Sequence, residues 1–380
     1  MKIVEITKLD DLHLAAAGWE QLRKQQLTFF PDFQELQAYL LPRESRFLLL
    51  GVSEKDQITS LCCFVVESTK KPYTLGERKL FSLPAREATL IGSAILGLVS
   101  AEVMKSFLDV ARKTLSFDVL AVGEVIVDSQ LHEAVRGLGP RYLVSSPSRK
   151  NSVRWLIRMP KTFDEYLASL GSKTRQMAKQ AMRKLESGYR YEFKTISKPE
   201  QLDDFLRDGE AISRVTYQWN VGQRLCNDEA TLHSHRSKAE KGRLRCHLLY
   251  VDSAPCSFSR GEIVEGVYNY HTPGFDPKFS KLSPGIVTLL LTIKDLIENT
   301  DCKTFDFGVG GDHVGYKSRF GNISMNSRYI DVFSRFRPYS IVLFLLQESL
   351  TSLKDLLRYI LRDGELRQRL KKAFRKYGAQ

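Results

Sequence analysis

The sequence predicts an α+β protein of two domains, each a mixed and mainly antiparallel sheet flanked by helices, with a basic helical tail. Three observations carry this prediction. The 380 residues exceed what one ordinary core holds and suit two domains. Strand-like segments follow one another with helices grouped around them, without the strict βαβ alternation of a parallel sheet. The segment 335–380 holds 11 basic residues against four acidic ones, with leucines at helical spacing.

The first domain is expected over 1–150. Helical periodicity marks "LDDLHLAAAGWEQLRKQQ" and "EVMKSFLDVARKTL", and strands are expected at "RFLLLGV", "ITSLCCFVV", "KLFSLP" and "FDVLAVGEVIV". The stretch 138–152, rich in Pro, Ser and Gly, reads as a linker. The second domain, 151–334, opens with strand "RWLIRMP". One long helix follows, "TFDEYLASLGSKTRQMAKQAMRKLES", stopped by Gly188. Strand "YRYEFKTI", two helices and strand "RCHLLYV" come next. Strands "APCSFSRGEI" and "EGVYNYHTPGF", helix "SPGIVTLLLTIKDLIEN" and strands "CKTFDFG" and "RYIDVFS" complete the order.

A formal charge of +13 favours anionic partners: nucleic acid, an acidic membrane, or a phosphate-bearing donor or carrier. Aromatics are not interleaved with the basic runs, which argues against single-stranded nucleic acid. The six cysteines (62, 63, 226, 246, 256, 302) form no CxxC and read as reduced thiols of a cytoplasmic protein. No signal peptide is apparent, and the longest apolar run, 339–346, is less than half of a membrane span. His233 and His235 lack a Cys or carboxylate partner at ligand spacing, so no metal site is expected. On the basic helix, Arg175, Lys179 and Arg183 share a face, which is either simply solvated or in contact with an anion. The tail is either packed with a solvated basic face or attached to an anionic membrane or acidic carrier protein.

The chemistry is expected in 269–322. Ser283 can cap the helix that follows, Pro284 suits its first position, and Gly285 admits close approach, so this helix start is a candidate anion site. Upstream, "HTPGFDP" breaks a strand and frees backbone groups. Downstream, "FDFGVGGDHVGYKSRFGN" imitates a phosphate loop and fails. Tyr316 intrudes between Gly315 and Lys317, and His313 stands where a dinucleotide motif needs glycine.

Strand, broken strand, helix and strand in this order resemble the GNAT acyltransferase fold. "GFDPKFSKLSPG" followed by "FDFGVGGDHVGYKSRF" is similar to the tandem-GNAT subfamily described as cellulose-biosynthesis-associated or FemAB-like acetyltransferases. The similarity covers roughly 155–333, and the first half matches only as a degenerate first copy. The usual pyrophosphate signature Q/R-x-x-G-x-G/A is replaced by "KLSPG".

The resemblance implies direct acyl transfer from acetyl-CoA or another acyl-CoA to an amine, without a metal. It implies donor contacts at Tyr270, Phe275, Lys281, Ser283, Pro284, Gly285 and Lys317. It implies Tyr316 as the thiolate's proton donor, with Asp276, Asp312 and His271 as candidate bases. Tyr217, Trp219 and Asp306 are candidates for the acceptor pocket. The implied acceptor is a small amine, an amino sugar or a cell-envelope precursor of polysaccharide biosynthesis. The implied location is cytoplasmic, peripheral to the inner membrane face through 335–380. Two alternatives stand: a FemAB-like aminoacyl transferase using aminoacyl-tRNA, and a non-catalytic basic module binding nucleic acid or anionic membrane.

Overall fold

The computed structural model describes residues 2–25, 30–55, 57–75, 78–148, 151–216, 219, 224–310 and 315–360. The chain divides into two compact units, Met1–Asn151 with Asn326–Gln380, and Ser152–Met325.

In the first unit the strands are β1 (Lys2–Ile6), β2 (Phe47–Glu54), β3 (Gln57–Leu75), β4 (Arg78–Leu90), β5 (Leu96–Gly97), β6 (Val119–Ile126) and β7 (Tyr142–Ser145). Helices α1 (His13–Arg23) and α2 (Phe33–Leu40) cover one face, and α3 (Ala101–Leu115) and α4 (Gln130–Arg136) cover the other. Alternation along the strands sets these faces. Leu48 and Leu50 pack with α3, whereas Leu49 packs with α1. The adjacent Cys62 and Cys63 split in the same way, so both are free thiols, and burial raises both well above the usual range.

The second unit holds β8 (Ser152–Arg158), α5 (Phe163–Ser169), α6 (Ser172–Gly188), β9 (Tyr191–Ile196), α7 (Leu202–Arg214) and α8 (Glu229–Glu240). It continues with β10 (Cys246–Val251), β11 (Ala254–Val264), β12 (Val267–Phe275), α9 (Pro284–Asn299), β13 (Thr304–Gly310) and α10 (Tyr316–Phe320). Its strand order is β8-β13-β12-β11-β10-β9. Helix α9 packs Leu289, Leu290, Ile293 and Leu296 on one face against Tyr268, Tyr270, Phe305 and Phe307. On the other face, α7 and α8 bury Phe205, Leu206 and Ala239 against Leu248, Tyr250 and Phe258.

Among the described residues, each unit contains one parallel strand pair joined by a helical crossover. β4 pairs with β6 over Glu87–Thr89 and Val119–Ala121, with α3 between them in sequence. β12 pairs with β13 over Val267–Asn269 and Thr304–Asp306, with α9 between them. The rest of each sheet is antiparallel, so the chain carries the same motif twice.

Three expectations change. The single long helix after β8 is two helices, because Leu170 is extended (φ −72°, ψ 145°) and buried in the core, and Gly171 starts α6. The expected linker contains β7, which pairs with β14 (Ile323–Ser334). The tail from 335 does not stand apart as a separate segment. Ser327–Phe333 pair with β6, and helix α11 (Pro338–Ile360) packs into the first unit. There Leu343 is fully buried, Ser340 Oγ donates to Asp118 O at 2.5 Å, and Tyr73 Oη donates to Leu343 O. The outward side of α11 is apolar, with Val342, Leu345, Leu353, Leu356 and Tyr359 exposed. Most of the tail's basic residues lie beyond 360, outside the described residues. No helix among those described is long and apolar enough to cross a membrane.

Polar pins fix α9 to the sheet. Ser257 bonds Thr288, and Ser259 bonds Thr292 at 2.9 Å. His247 Nε2 lies 2.9 Å from Asp295, which also accepts two Arg245 bonds at 2.8 and 2.6 Å. Burial alone would raise the Asp295 carboxyl, but the His247 and Arg245 bonds outweigh it and hold it well below the usual range. Removing the carboxylate strands a buried histidine and a largely buried guanidinium. Asp295→Ala is therefore expected to destabilise the second unit by about 3 kcal/mol in chemical denaturation, whereas an exposed ion pair would cost under about 1 kcal/mol.

Candidate active site

The ladder between β12 and β13 stops after three residues, although both strands continue. Local chemistry on each strand causes this. On β12, His271 is an extra residue, since Arg260 faces Thr272 while Gly261 faces Tyr270, and Pro273 follows. On β13, Asp306 Oδ1 accepts the Gly308 N–H at 2.7 Å, and Gly308 takes a left-handed φ of +67° that glycine tolerates. Lys317 Nζ donates to Phe307 O at 2.6 Å and Val309 O at 2.9 Å. The carbonyls beyond the last paired residue thus bond a lysine instead of a neighbouring strand. The result is a slot that opens between two parallel strands.

The two faces of the slot differ. On the α9 face lie Tyr270, Phe305 and Phe307, and the Tyr316 ring meets Phe307 edge-on at 6.1 Å. Tyr316 opens α10 and is 36% exposed, whereas Tyr270 is buried and its phenol is pushed far above the usual range by burial. The α9 start abuts Phe275 on the same face. A Cβ at Gly285 would sit 3.5 Å from the Phe275 ring, filling the space that glycine leaves open. Pro284 is buried at the first helical position. Ser283 departs from expectation: its backbone is left-handed (φ 52°, ψ 49°) and its side chain makes no capping bond. This helix start therefore lacks a side-chain cap. Lys281 is exposed just before it, and its carbonyl accepts Lys184 Nζ from α6 at 2.8 Å.

On the opposite face runs a polar row. Glu262 faces Asn269 across β11 and β12, and Asn269 faces Asp306 across β12 and β13. All three are buried. Asp306 Oδ2 accepts Arg154 Nη2 at 2.6 Å and Nε at 3.0 Å, so this candidate acceptor residue is consumed in an ion pair. Glu262 Oε1 receives Lys238 Nζ at 2.5 Å and His271 Nε2 at 3.0 Å. Burial opposes ionisation of Glu262, but the His271 bond and the Lys238 charge win and lower its pKa to about 2.

Other sequence candidates fall elsewhere. Asp276 caps the turn Pro277–Leu282, accepting Lys278 N–H at 2.9 Å and pairing with Lys278 Nζ at 3.0 Å. A carboxylate committed to a turn is a poor base, which corrects that expectation. Lys317 likewise is engaged in holding β13, through its bonds to Phe307 O and Val309 O. The guanidinium groups of Arg214 and Arg224 lie 5.0 and 5.3 Å from the ring centre of Trp219. Tyr217 and Asp312 lie outside the described residues.

Sequence reasoning missed Glu262, Asn269, Arg154 and Lys238. The one available signal was polar residues alternating inside apolar strands, in "SRGEI" and "VYNYH". In the first unit, Asp128, His132 and Glu133 approach metal-ligand spacing, but His132 Nδ1 already receives the Asp128 N–H at 3.2 Å.

The acetyltransferase (GNAT) domain family matches residues 172–318. No curated relative matches the sequence. Among solved structures, FemX is similar at 12% identity, with 91% of this chain and 100% of that chain covered and a TM-score of 0.60. A conserved protein of unknown function from Bacteroides thetaiotaomicron matches at 11% identity, 88% and 100% coverage and a TM-score of 0.50. A tandem GNAT protein from the clavulanic acid biosynthesis pathway matches at 10% identity, 88% and 98% coverage and a TM-score of 0.49. The slot between the parallel strands lies inside the matched region, and the repeated crossover lies in both units. The second unit thus carries a match to the acetyltransferase (GNAT) domain family, and the chain as a whole is similar in fold to FemX.

Proposed function

We propose that the protein transfers an acyl group from acyl-CoA, acetyl-CoA first among candidates, to an amine. The observation that carries this reading is the slot between β12 and β13, open beside the glycine-bearing start of α9. The residues fit such a donor. Free strand-edge amides suit pantetheine, and the positive end of α9 with Lys281 suits a pyrophosphate. An acyl thioester supplies an electrophilic carbonyl and a sulfur leaving group. The amine forms the C–N bond as the C–S bond breaks, its proton going to the protein.

Two side chains at the slot match the two proton transfers. An ionised Glu262 only accepts hydrogen bonds, so His271 Nε2 carries the shared proton and leaves Nδ1 a lone pair. His271 then takes the amine proton, and its side chain is 39% exposed. Tyr316 on the α9 face donates a proton to the departing sulfur. Base and acid thus lie on opposite faces of one sheet, with the thioester passing between them.

The implied acceptor is an amino sugar or envelope precursor. The exposed apolar side of α11, with the basic residues beyond it in sequence, suits an anionic membrane surface where such a precursor resides. A second reading, aminoacyl transfer from aminoacyl-tRNA, is favoured by the FemX-like fold over 91% of the chain.

Acetyl-CoA is expected to raise the unfolding midpoint of the whole chain by ligand linkage, and Gly285→Val to abolish that rise. Stabilisation by aminoacyl-tRNA alone would transfer the reading to the second donor. Tyr316→Phe should lower kcat about 100-fold with donor affinity kept, and a parallel loss of both would refute its acid role. His271→Ala should lower kcat/KM by a similar factor while the thermal shift with acetyl-CoA is retained. The depressed Glu262 pKa adds stability that is complete above about 4.5 and lost as pH falls toward about 2. Acid denaturation of Glu262→Gln should therefore show a flatter dependence across that window than the wild type.

A further inference from the structure

Among the described residues, three buried side-chain atoms without a hydrogen-bond partner share one place: Arg260 Nε, Glu262 Oε2 and Asn269 Nδ2. Arg260 and Glu262 are alternate residues of β11, about 7 Å apart on one face. Asn269 stands directly opposite Glu262, with side-chain origins about 5 Å apart. Asn269 also belongs to the last paired register before the slot, so the group of three borders the place where the thioester carbonyl is expected. The face reaches solvent at His271.

The fold already had partners to hand and used them. Glu262 Oε1 takes Lys238 and His271, Asp306 takes Arg154, and Arg260 Nη2 donates to Thr272 Oγ1 at 3.1 Å. Burial without a partner costs about 1–3 kcal/mol per neutral group and more for a charged one, so native proteins rarely leave three together. Burial also lowers the Arg260 pKa, a shift that the nearby Glu262 charge only partly offsets, and the one bond of its guanidinium is to a neutral hydroxyl.

The unmet atoms specify a ligand. Glu262 Oε2 needs an N–H. Asn269 Nδ2 needs an oxygen. Arg260 Nε needs an oxygen too, and a guanidinium bonded only to a hydroxyl prefers an anionic one. We propose that Arg260, Glu262 and Asn269 form the acceptor subsite, and that the acceptor is an amine bearing a carboxylate or phosphate a few ångströms away. This rests on the acyl-transfer reading and narrows its acceptor from any amine to an anionic one. Glu262 holds the amine against the slot while His271 takes its proton, and Arg260 holds the anionic group.

Matched acceptor pairs test this in the full-length chain with acetyl-CoA, by release of free thiol. The pairs are L-serine with 2-amino-1,3-propanediol, glycylglycine with glycylglycinamide, and glucosamine 6-phosphate with glucosamine. The first two pairs probe a carboxylate and the third a phosphate. The anionic member of at least one pair should win by about tenfold or more in kcat/KM, and Arg260→Met should erase that preference. Arg260→Lys should keep part of it. The thermal shift with acetyl-CoA, read in each variant, confirms that fold and donor site survive. Equal rates within every pair, a preference for the neutral member, or a preference that outlives Arg260→Met would each overturn the subsite. If no acyl-CoA shifts the midpoint, the donor reading fails by itself. Calorimetric binding of the same pairs without donor then decides the subsite, with equal or no binding counting against it.

Discussion

The second unit depends on a parallel ladder that is allowed to form over three residues and then prevented from continuing. Parallel strands normally keep pairing until their helical crossover ends them. Here each strand carries its own reason to leave. His271 bulges β12, while Asp306 and Gly308 turn β13, and Lys317 takes the carbonyls of Phe307 and Val309. The unpaired backbone is tolerable because a lysine and a capping carboxylate meet part of its demand. Helix α9 must then be held firmly, since it supplies one wall of the slot. That explains why an otherwise apolar helix carries Thr288, Thr292 and Asp295 toward the sheet.

One arrangement on the sheet serves two needs. Alternation places the aromatic residues 268, 270, 305 and 307 against α9, and the same alternation forces 262, 269 and 306 to the other face. A dry wall and a polar wall are therefore products of a single register. The His271 bulge matters because alternation alone would send Thr272 to the α9 face; the extra residue instead brings it opposite Arg260, whose Nη2 donates to its Oγ1.

Much of this was legible in the sequence where the signal was local. "SPG" before an apolar run announced α9, "HTPGFDP" announced the broken strand, and "FDFG" announced β13, because each depends on neighbours a few residues away. What was illegible depended on register. Nothing in the chain states that Glu262 faces Asn269 or that Arg154 reaches Asp306 across 152 residues. Asp276 and Lys317 were misread for the opposite reason. Their types suit catalysis, yet a turn and a strand end claimed them first. Ser283 looked like a cap by type, and its left-handed backbone leaves the side chain without a capping bond. The allocation of 326–334 to the first unit was beyond local reading too, since it rests on pairing with β6 some 200 residues earlier.

The first unit shows what removes a slot while keeping the motif. Its strands β4 and β6 also pair in parallel over three residues around a helical crossover. β4 then ends at Leu90, and the turn Ile91–Ser93 folds in against β6. The approach is so close that a Cβ at Gly123 would meet Ser93 Oγ at 2.1 Å. Gly92, with φ +68°, lets the turn bend, and Phe30 packs where its side chain would be. The start of α3 is capped by Ser100 Oγ, which accepts the Val103 N–H, whereas α9 has no side-chain cap. Gap and uncapped helix start disappear together in the first copy and persist together in the second. Their joint presence is what separates the unit with an open slot from the unit that keeps the same motif without one.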